Sequence, residues 1–231
     1  MAKNGFVIDA PEQVSIPVAG SSDRFPVRRV YCVGRNYVAH VREMGGSEDR
    51  DPPIFFQKPT DSVVLDGATV AYPTMTGDHH HEMEMVVALK SGGYNIPAAE
   101  ALDHIYGYGV GFDMTRRDIQ GSGRPWEVAK SFDESCPVGA ISTVESVGHI
   151  SSGNIKLTVN GKAMQDSDLN LLIWTVPEII ANLSNYFELK AGDIILTGTP
   201  HGVGPVKTGD VLVGTIDKLA PLTIHIGENA A

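Results

Sequence analysis

A chain of 231 residues with 42% hydrophobic content can bury one large core, and 18 Lys and Arg against 28 Asp and Glu leave a formal charge of −10. That balance argues against a polynucleotide-binding face and against docking on anionic membranes. An anionic ligand would therefore need local cations or a metal to hold it. The two cysteines, Cys32 and Cys136, form no metal or redox motif, which suits a reducing compartment. Met1 to Ala10 holds no apolar signal core, and the longest apolar run, Met85 to Leu89, is too short to cross a bilayer. The expectation is a soluble, cytoplasmic protein.

Residues 1 to 27 carry Pro11, Pro17, Pro26 and a Gly20-Ser21-Ser22-Asp23 turn and read as an appended leader, with 28 to 231 as a single domain. Val30 to Val33 reads as a buried strand. Asn36 to Met44 reads as a short helix closed by Gly45-Gly46. Residues 47 to 53 form a charged, proline-ended loop for which mobility is the natural expectation. Glu82 to Leu89 alternates as a strand, and Tyr106 to Phe112 is a glycine-rich strand with Asp113 at its end. Leu157 to Met164 reads as a hairpin around Asn160-Gly161, a pair that tolerates positive φ at both positions. Pro177 to Leu189 is the clearest helix, capped near Thr175 or Val176. Its stripe of Ile179, Ile180, Leu183, Tyr186 and Phe187 faces the core. The Gly192-Asp193 turn then leads into a strand from Ile194 to Thr197, and Asp210 to Ile226 supplies two more. The class is α+β and strand-rich.

Strand alternation puts Glu82 and Glu84 on one face and Met83, Met85 and Val87 on the other. Two adjacent carboxylates after three histidines, His79 to His81, suit a hard divalent cation; a solvated strand face is the plainer alternative. If a helix follows Asp113, then Asp113, Arg117 and Gln120 recur at i, i+4 and i+7 and converge on one face. Such a trio suits a metal-bound anion, and equally an ordinary surface helix with an Asp–Arg pair. His40 and Glu43, at i and i+3, can hydrogen-bond, and a carboxylate on one imidazole nitrogen makes the other a better base. Alone, such a pair is usually structural. No Gly-x-Ser-x-Gly elbow occurs, and Gly202 to Thr208 lacks the glycine that a phosphate loop places before its lysine.

Five blocks, in order, resemble the fumarylacetoacetate hydrolase superfamily. They are Gly34-Arg35-Asn36-Tyr37 with His40 and Glu43; His80-His81-Glu82-Met83-Glu84; Asp113-Met114-Thr115 with Arg117, Asp118 and Gln120; Pro125-Trp126 with Ala129-Lys130-Ser131-Phe132; and Leu196-Thr197-Gly198-Thr199-Pro200 with Gly202-Val203-Gly204-Pro205. The match lies nearest the short acylpyruvase branch and its fumarylpyruvate-hydrolase-like members. The resemblance implies a mixed β-sandwich roll with short flanking helices, assembled as a homodimer. It implies Mg²⁺ or Mn²⁺ on Glu82, Glu84 and Asp113, with His40 and Glu43 as the water-activating pair on a segment that orders over the substrate. It further implies that Lys130 and Gln120 contact substrate oxygens, with Arg117, Thr199 and Arg35 lining the pocket. Larger members carry a further carboxylate ligand where this chain has Val33, so no fourth protein ligand is expected. The implied reaction is hydrolysis of a carbon–carbon bond in an acylpyruvate, fumarylpyruvate to fumarate and pyruvate, within aromatic-compound catabolism. An oxaloacetate-type decarboxylase, a diketo-acid isomerase or a sugar-acid dehydratase of the same superfamily are the alternatives. A non-enzymatic, metal-stabilised binding protein would leave the five blocks unexplained.

Overall fold

The computed structural model describes residues 5 to 45 and 51 to 230. At its centre the fully buried strand Met83–Leu89 pairs antiparallel with Asp193–Leu196 on one side and Ile105–Phe112 on the other. The sheet extends outward through Arg29–Gly34 and Ile54–Lys58 on the first side, and through Cys136–Val138 and Val63–Leu65 on the second. Ser142–Thr143 also pairs with Ile105–Phe112, completing eight strands. A second, five-stranded sheet runs Lys162–Asp168, Asn154–Val159, Val211–Ile216, Leu222–Asn229 and Thr69–Tyr72. Its inner residues Ile155, Leu157, Leu212 and Ile224 share one core with Met83, Met85, Val87 and Leu89. This is the strand-rich, mixed sandwich roll with few helices that the sequence implies.

The other face of the large sheet builds a second, smaller core. Val30, Cys32, Val86, Ala88, Ile194 and Leu196 point there, as the period of two requires. The cover comes from residues read as a leader: Ser15–Pro17 and Arg24–Pro26 pair as a hairpin, and Ile16, Val18, Phe25 and Val27 are buried in it. Pro17 and Pro26 are tolerated because a two-stranded ribbon has only edges. The glycines of Ile105–Phe112 let the following chain lie close, since a Cβ on Gly107 would sit 2.3 Å from the Ser142 carbonyl oxygen.

Several boundaries differ from expectation. The first helix spans only Val38–Glu43, because Asn36 and Tyr37 are spent on other contacts: Tyr37 bridges to Leu172. The long helix is Val176–Tyr186, ending before Leu189 as Phe187 turns extended at φ −132°. Thr175 and Glu178 cap it reciprocally, with the Thr175 N–H donating to Glu178 Oε2 at 2.9 Å. Ile179, Ile180 and Leu183 face the core as expected, but Tyr186 is exposed. Asn160 and Gly161 both take positive φ, at 51° and 78°, in the anticipated hairpin turn. The loop expectation for 47 to 53 falls, for residues 47 to 50, outside the described residues.

Candidate active site and metal centre

Where the central strand begins, its second face turns from apolar to acidic. Val86 and Ala88 lie under the N-terminal hairpin, while Glu84 and Glu82 pass beyond that cover and line a cavity of about 390 Å³. Asp113 joins them from the next strand's end, its N–H bonded to the Glu82 carbonyl at 2.8 Å. One oxygen from each of the three carboxylates lies within 4.8 Å of the others, and all three groups are buried.

Buried like charges must be neutralised or protonated. Lys130 Nζ donates to Glu82 Oε2 and to Asp113 Oδ2, at 2.6 Å each. Burial alone would push Glu82 up, yet Lys130, Arg117 and His40 together hold its carboxyl well below the usual range. Glu84 has no such support: among the described residues it makes no ion pair, and its Oε2 accepts only the Gly198 N–H at 2.6 Å. Burial, Asp113 and Glu82 accordingly push its carboxyl well above the ordinary value. A divalent cation among these oxygens relieves that repulsion, and an all-carboxylate donor set is what a hard ion takes. The residues fit such an ion.

His40 opens on the same cavity from the helix Val38–Glu43. Its Nδ1 lies 3.1 Å from Glu43 Oε2, and the Gly202 N–H donates to Glu43 Oε1 at 3.0 Å. Glu43 thus stands behind His40 and does not itself line the cavity. Arg35, Arg117, Gln120, Lys130 and Thr199 all do, as does Val33. Arg35 takes a left-handed φ of 58°, unusual for a residue with a side chain and frequent where a site imposes a conformation.

Asp113, Arg117 and Gln120 meet without sharing a helical face. Thr115–Arg116 first pairs with His79–His81 as a strand, and the helix is the single turn Arg117–Gln120. Arg117 is fully engaged: its guanidinium bonds Glu82 Oε1, Gln120 Oε1 and, through Nε at 3.4 Å, His80 Nδ1. The three histidines do not join the triad. His79 stacks edge-on between Tyr72 and Phe132 and is pushed down to about 3, chiefly by burial, so it is a neutral packing ring.

Two groups at the site escape sequence reasoning. Lys58, buried at the end of Ile54–Lys58, places its ammonium 2.8 Å from Asp113 Oδ1 and also donates to the Lys130 carbonyl. Gln165 bonds the Met83 N–H and the Thr199 hydroxyl from the second sheet. Their partners are remote in sequence, and the only local hint is a polar residue within an alternating strand.

The family model for the fumarylacetoacetate (FAA) hydrolase C-terminal region matches residues 29–226. The chain belongs to the fumarylacetoacetate hydrolase family. It is 41% identical over 190 residues to a fumarylpyruvate hydrolase of Ralstonia sp, covering 80% of this chain and 98% of that one. It is 39% identical over 203 residues to a mitochondrial oxaloacetate tautomerase of Homo sapiens, covering 86% and 91%. The crystal structure of fumarylpyruvate hydrolase from Pseudomonas aeruginosa in complex with Mn²⁺ and pyruvate superposes with a TM-score of 0.93 at 47% identity, covering 96% of this chain and 99% of that one.

Proposed function

We propose that this family member hydrolyses the carbon–carbon bond of an acylpyruvate, with fumarylpyruvate giving fumarate and pyruvate. One observation carries the reading: the His40–Glu43 pair and the buried carboxylate triad open on a single cavity. Glu82, Glu84 and Asp113 would hold Mg²⁺ or Mn²⁺. That ion, when bound, supplies Lewis-acid stabilisation for the negative charge that develops on the leaving enolate.

The chain's own groups do the rest. Glu43 fixes the His40 ring through Nδ1, so Nε2 takes the proton of a water as that water attacks the carbonyl distal to the carboxylate. The bond from that carbon to the methylene breaks, its electron pair stays on the methylene carbon, and the imidazolium returns a proton there. The water oxygen ends in the new carboxylate. Lys130 and Gln120 place donors where negative charge grows, with Lys130 held charged because Asp113 and Glu82 outweigh the effect of its burial. With Arg117 tied to Glu82, Arg35 is, among the described residues, the cavity-lining cation left to meet the distal carboxylate of fumarylpyruvate. We further propose that residues 28 to 231 carry the catalytic site, with the N-terminal hairpin packed on them as a cover, and that the protein acts as a cytoplasmic homodimer in aromatic-compound catabolism.

Oxaloacetate tautomerisation is the second reading, supported by the human relative. It needs proton transfer but no water. A steady-state screen of fumarylpyruvate, acetylpyruvate and oxaloacetate with Mg²⁺ tests both. The expected result is the highest kcat/KM for fumarylpyruvate. A preference for acetylpyruvate makes the chain a general acylpyruvase, and turnover of oxaloacetate alone establishes the second reading.

A further inference from the structure

Gln165 belongs to none of the blocks that carry the family resemblance, yet it is 1% exposed and all its hydrogen-bonding capacity is spent beside the site. Its Oε1 lies 3.0 Å from the Met83 N, and its Nε2 lies 2.8 Å from the Pro200 carbonyl oxygen. A backbone N–H can only donate and a carbonyl can only accept, so these two partners settle which end of the amide is oxygen. His81 Nδ1, at 3.3 Å from the same Oε1, must then be the protonated ring nitrogen.

The consequence falls on Thr199. The second Nε2 hydrogen of Gln165 points at Thr199 Oγ1, 2.8 Å away. The hydroxyl is therefore an acceptor on its buried side. Its own hydrogen must go elsewhere, and among the described residues no protein acceptor receives it. Thr199 lines the cavity that holds the triad and His40.

We infer that Gln165 is a positioning residue that sets the polarity of the Thr199 hydroxyl, making it a donor toward an acceptor-only ligand oxygen, the carboxylate of a 2-oxo acid. The inference rests on the proposed function for the class of ligand. The same amide also links two parts of the site, clamping the first residue of the central strand and the Thr199-Pro200 segment. A ligand group that can only donate, such as an ammonium, would meet a hydrogen in place of a lone pair, so the device favours an acceptor such as a carboxylate over it.

The test is calorimetric titration of the Mn²⁺-loaded protein with pyruvate, in wild type, Gln165→Met, Thr199→Val and the double variant. Each single change should weaken pyruvate by roughly 10-fold, the scale of a hydrogen bond to a charged group, with Mn²⁺ affinity unchanged. The double variant should bind no more weakly than Thr199→Val alone, because Gln165 then has no hydroxyl to orient. Thr199→Ser keeps the hydroxyl and should stay within about 2-fold of wild type. Equal losses from Gln165→Met with and without the hydroxyl would overturn the inference, since a merely structural role predicts that result. If Gln165→Met does not fold, wild-type pyruvate affinity in Thr199→Val overturns it just as surely. A wild type that binds Mn²⁺ but no pyruvate defeats the functional reading and this inference together. Failure of the variant pattern in a pyruvate-binding protein defeats this inference alone.

Discussion

Glu82 and Glu84 sit at the start of the strand Met83–Leu89, whose seven residues are all buried and which pairs with a neighbouring strand on each side. His40 rides on a six-residue helix in which only His40 and Val41 are buried, tied down by the Asn36 amide and by the Glu43–Gly202 contact. The ion-holding half of the site draws its geometry from the sheet that also forms the core. The proton-moving half depends on a handful of polar contacts. The two halves should therefore separate under mutation, which a site built on one element would not allow.

The largest effect is expected where the sheet holds the charge. Glu84→Ala should abolish activity and weaken Mg²⁺ or Mn²⁺ binding by calorimetry, while the fold survives because removing a carboxylate pushed up by burial relieves repulsion. Chelation by EDTA should inactivate the wild type, and added Mg²⁺ should restore it. Unchanged ion affinity in Glu84→Ala would remove this residue from the ligand set and leave the comparison without its first half.

The same division governs how much was legible in the sequence. Strand periodicity places Glu82 and Glu84 on one face because a period of two leaves no other option, and the order of the blocks identifies the family. The trio Asp113, Arg117 and Gln120 reaches the cavity by a route that periodicity misses, since Thr115–Arg116 joins a three-stranded sheet that breaks any helix there. The hairpin over the second core reads as a leader because Pro17 and Pro26 outweigh the apolar Ile16, Val18, Phe25 and Val27 between and beside them. Lys58 and Gln165 stay hidden for a different reason. A buried polar side chain is tolerable only through its partners, and those lie far away along the chain, at Asp113 for one and Met83 and Thr199 for the other.

The second half is probed by His40→Ala. Metal affinity should remain intact, while acylpyruvate hydrolysis falls by roughly 10²-fold or more, the scale of a lost general base. Oxaloacetate decarboxylation, which needs chelation and enolate stabilisation but no activated water, should survive far better. Glu43→Gln should show a milder form of the same split, since it weakens the orientation of the ring and keeps the imidazole. Equal loss of both reactions in His40→Ala would make His40 a substrate-binding group and remove the assignment of the base.

The smallest effect should come from the residue that joins the two halves. Asn36 is fully buried, and its side chain closes three bonds: Nδ2 donates to the Thr197 carbonyl at 2.7 Å and to the Trp174 carbonyl at 3.0 Å, and Oδ1 accepts the Trp174 N–H at 2.7 Å. Thr197 precedes Gly198, whose N–H holds Glu84, and a Cβ on Gly198 would come within 2.6 Å of the Asn36 Cβ. Asn36 therefore pins the entry to the His40 helix against Thr197, just past the end of the strand Asp193–Leu196. Asn36→Ala leaves buried backbone groups unpaired and should cost about 2 kcal/mol in urea unfolding. If the helix takes its position from this amide, hydrolysis should also drop by about 10-fold, because small displacements of a base are felt in the rate. Ion affinity should hold, since each of the three carboxylates keeps its own partners. A stability loss with full activity would mean that Glu43 and Gly202 alone set the position of His40. A loss of ion affinity would mean that the two halves are one mechanical unit, and the contrast between them would fall.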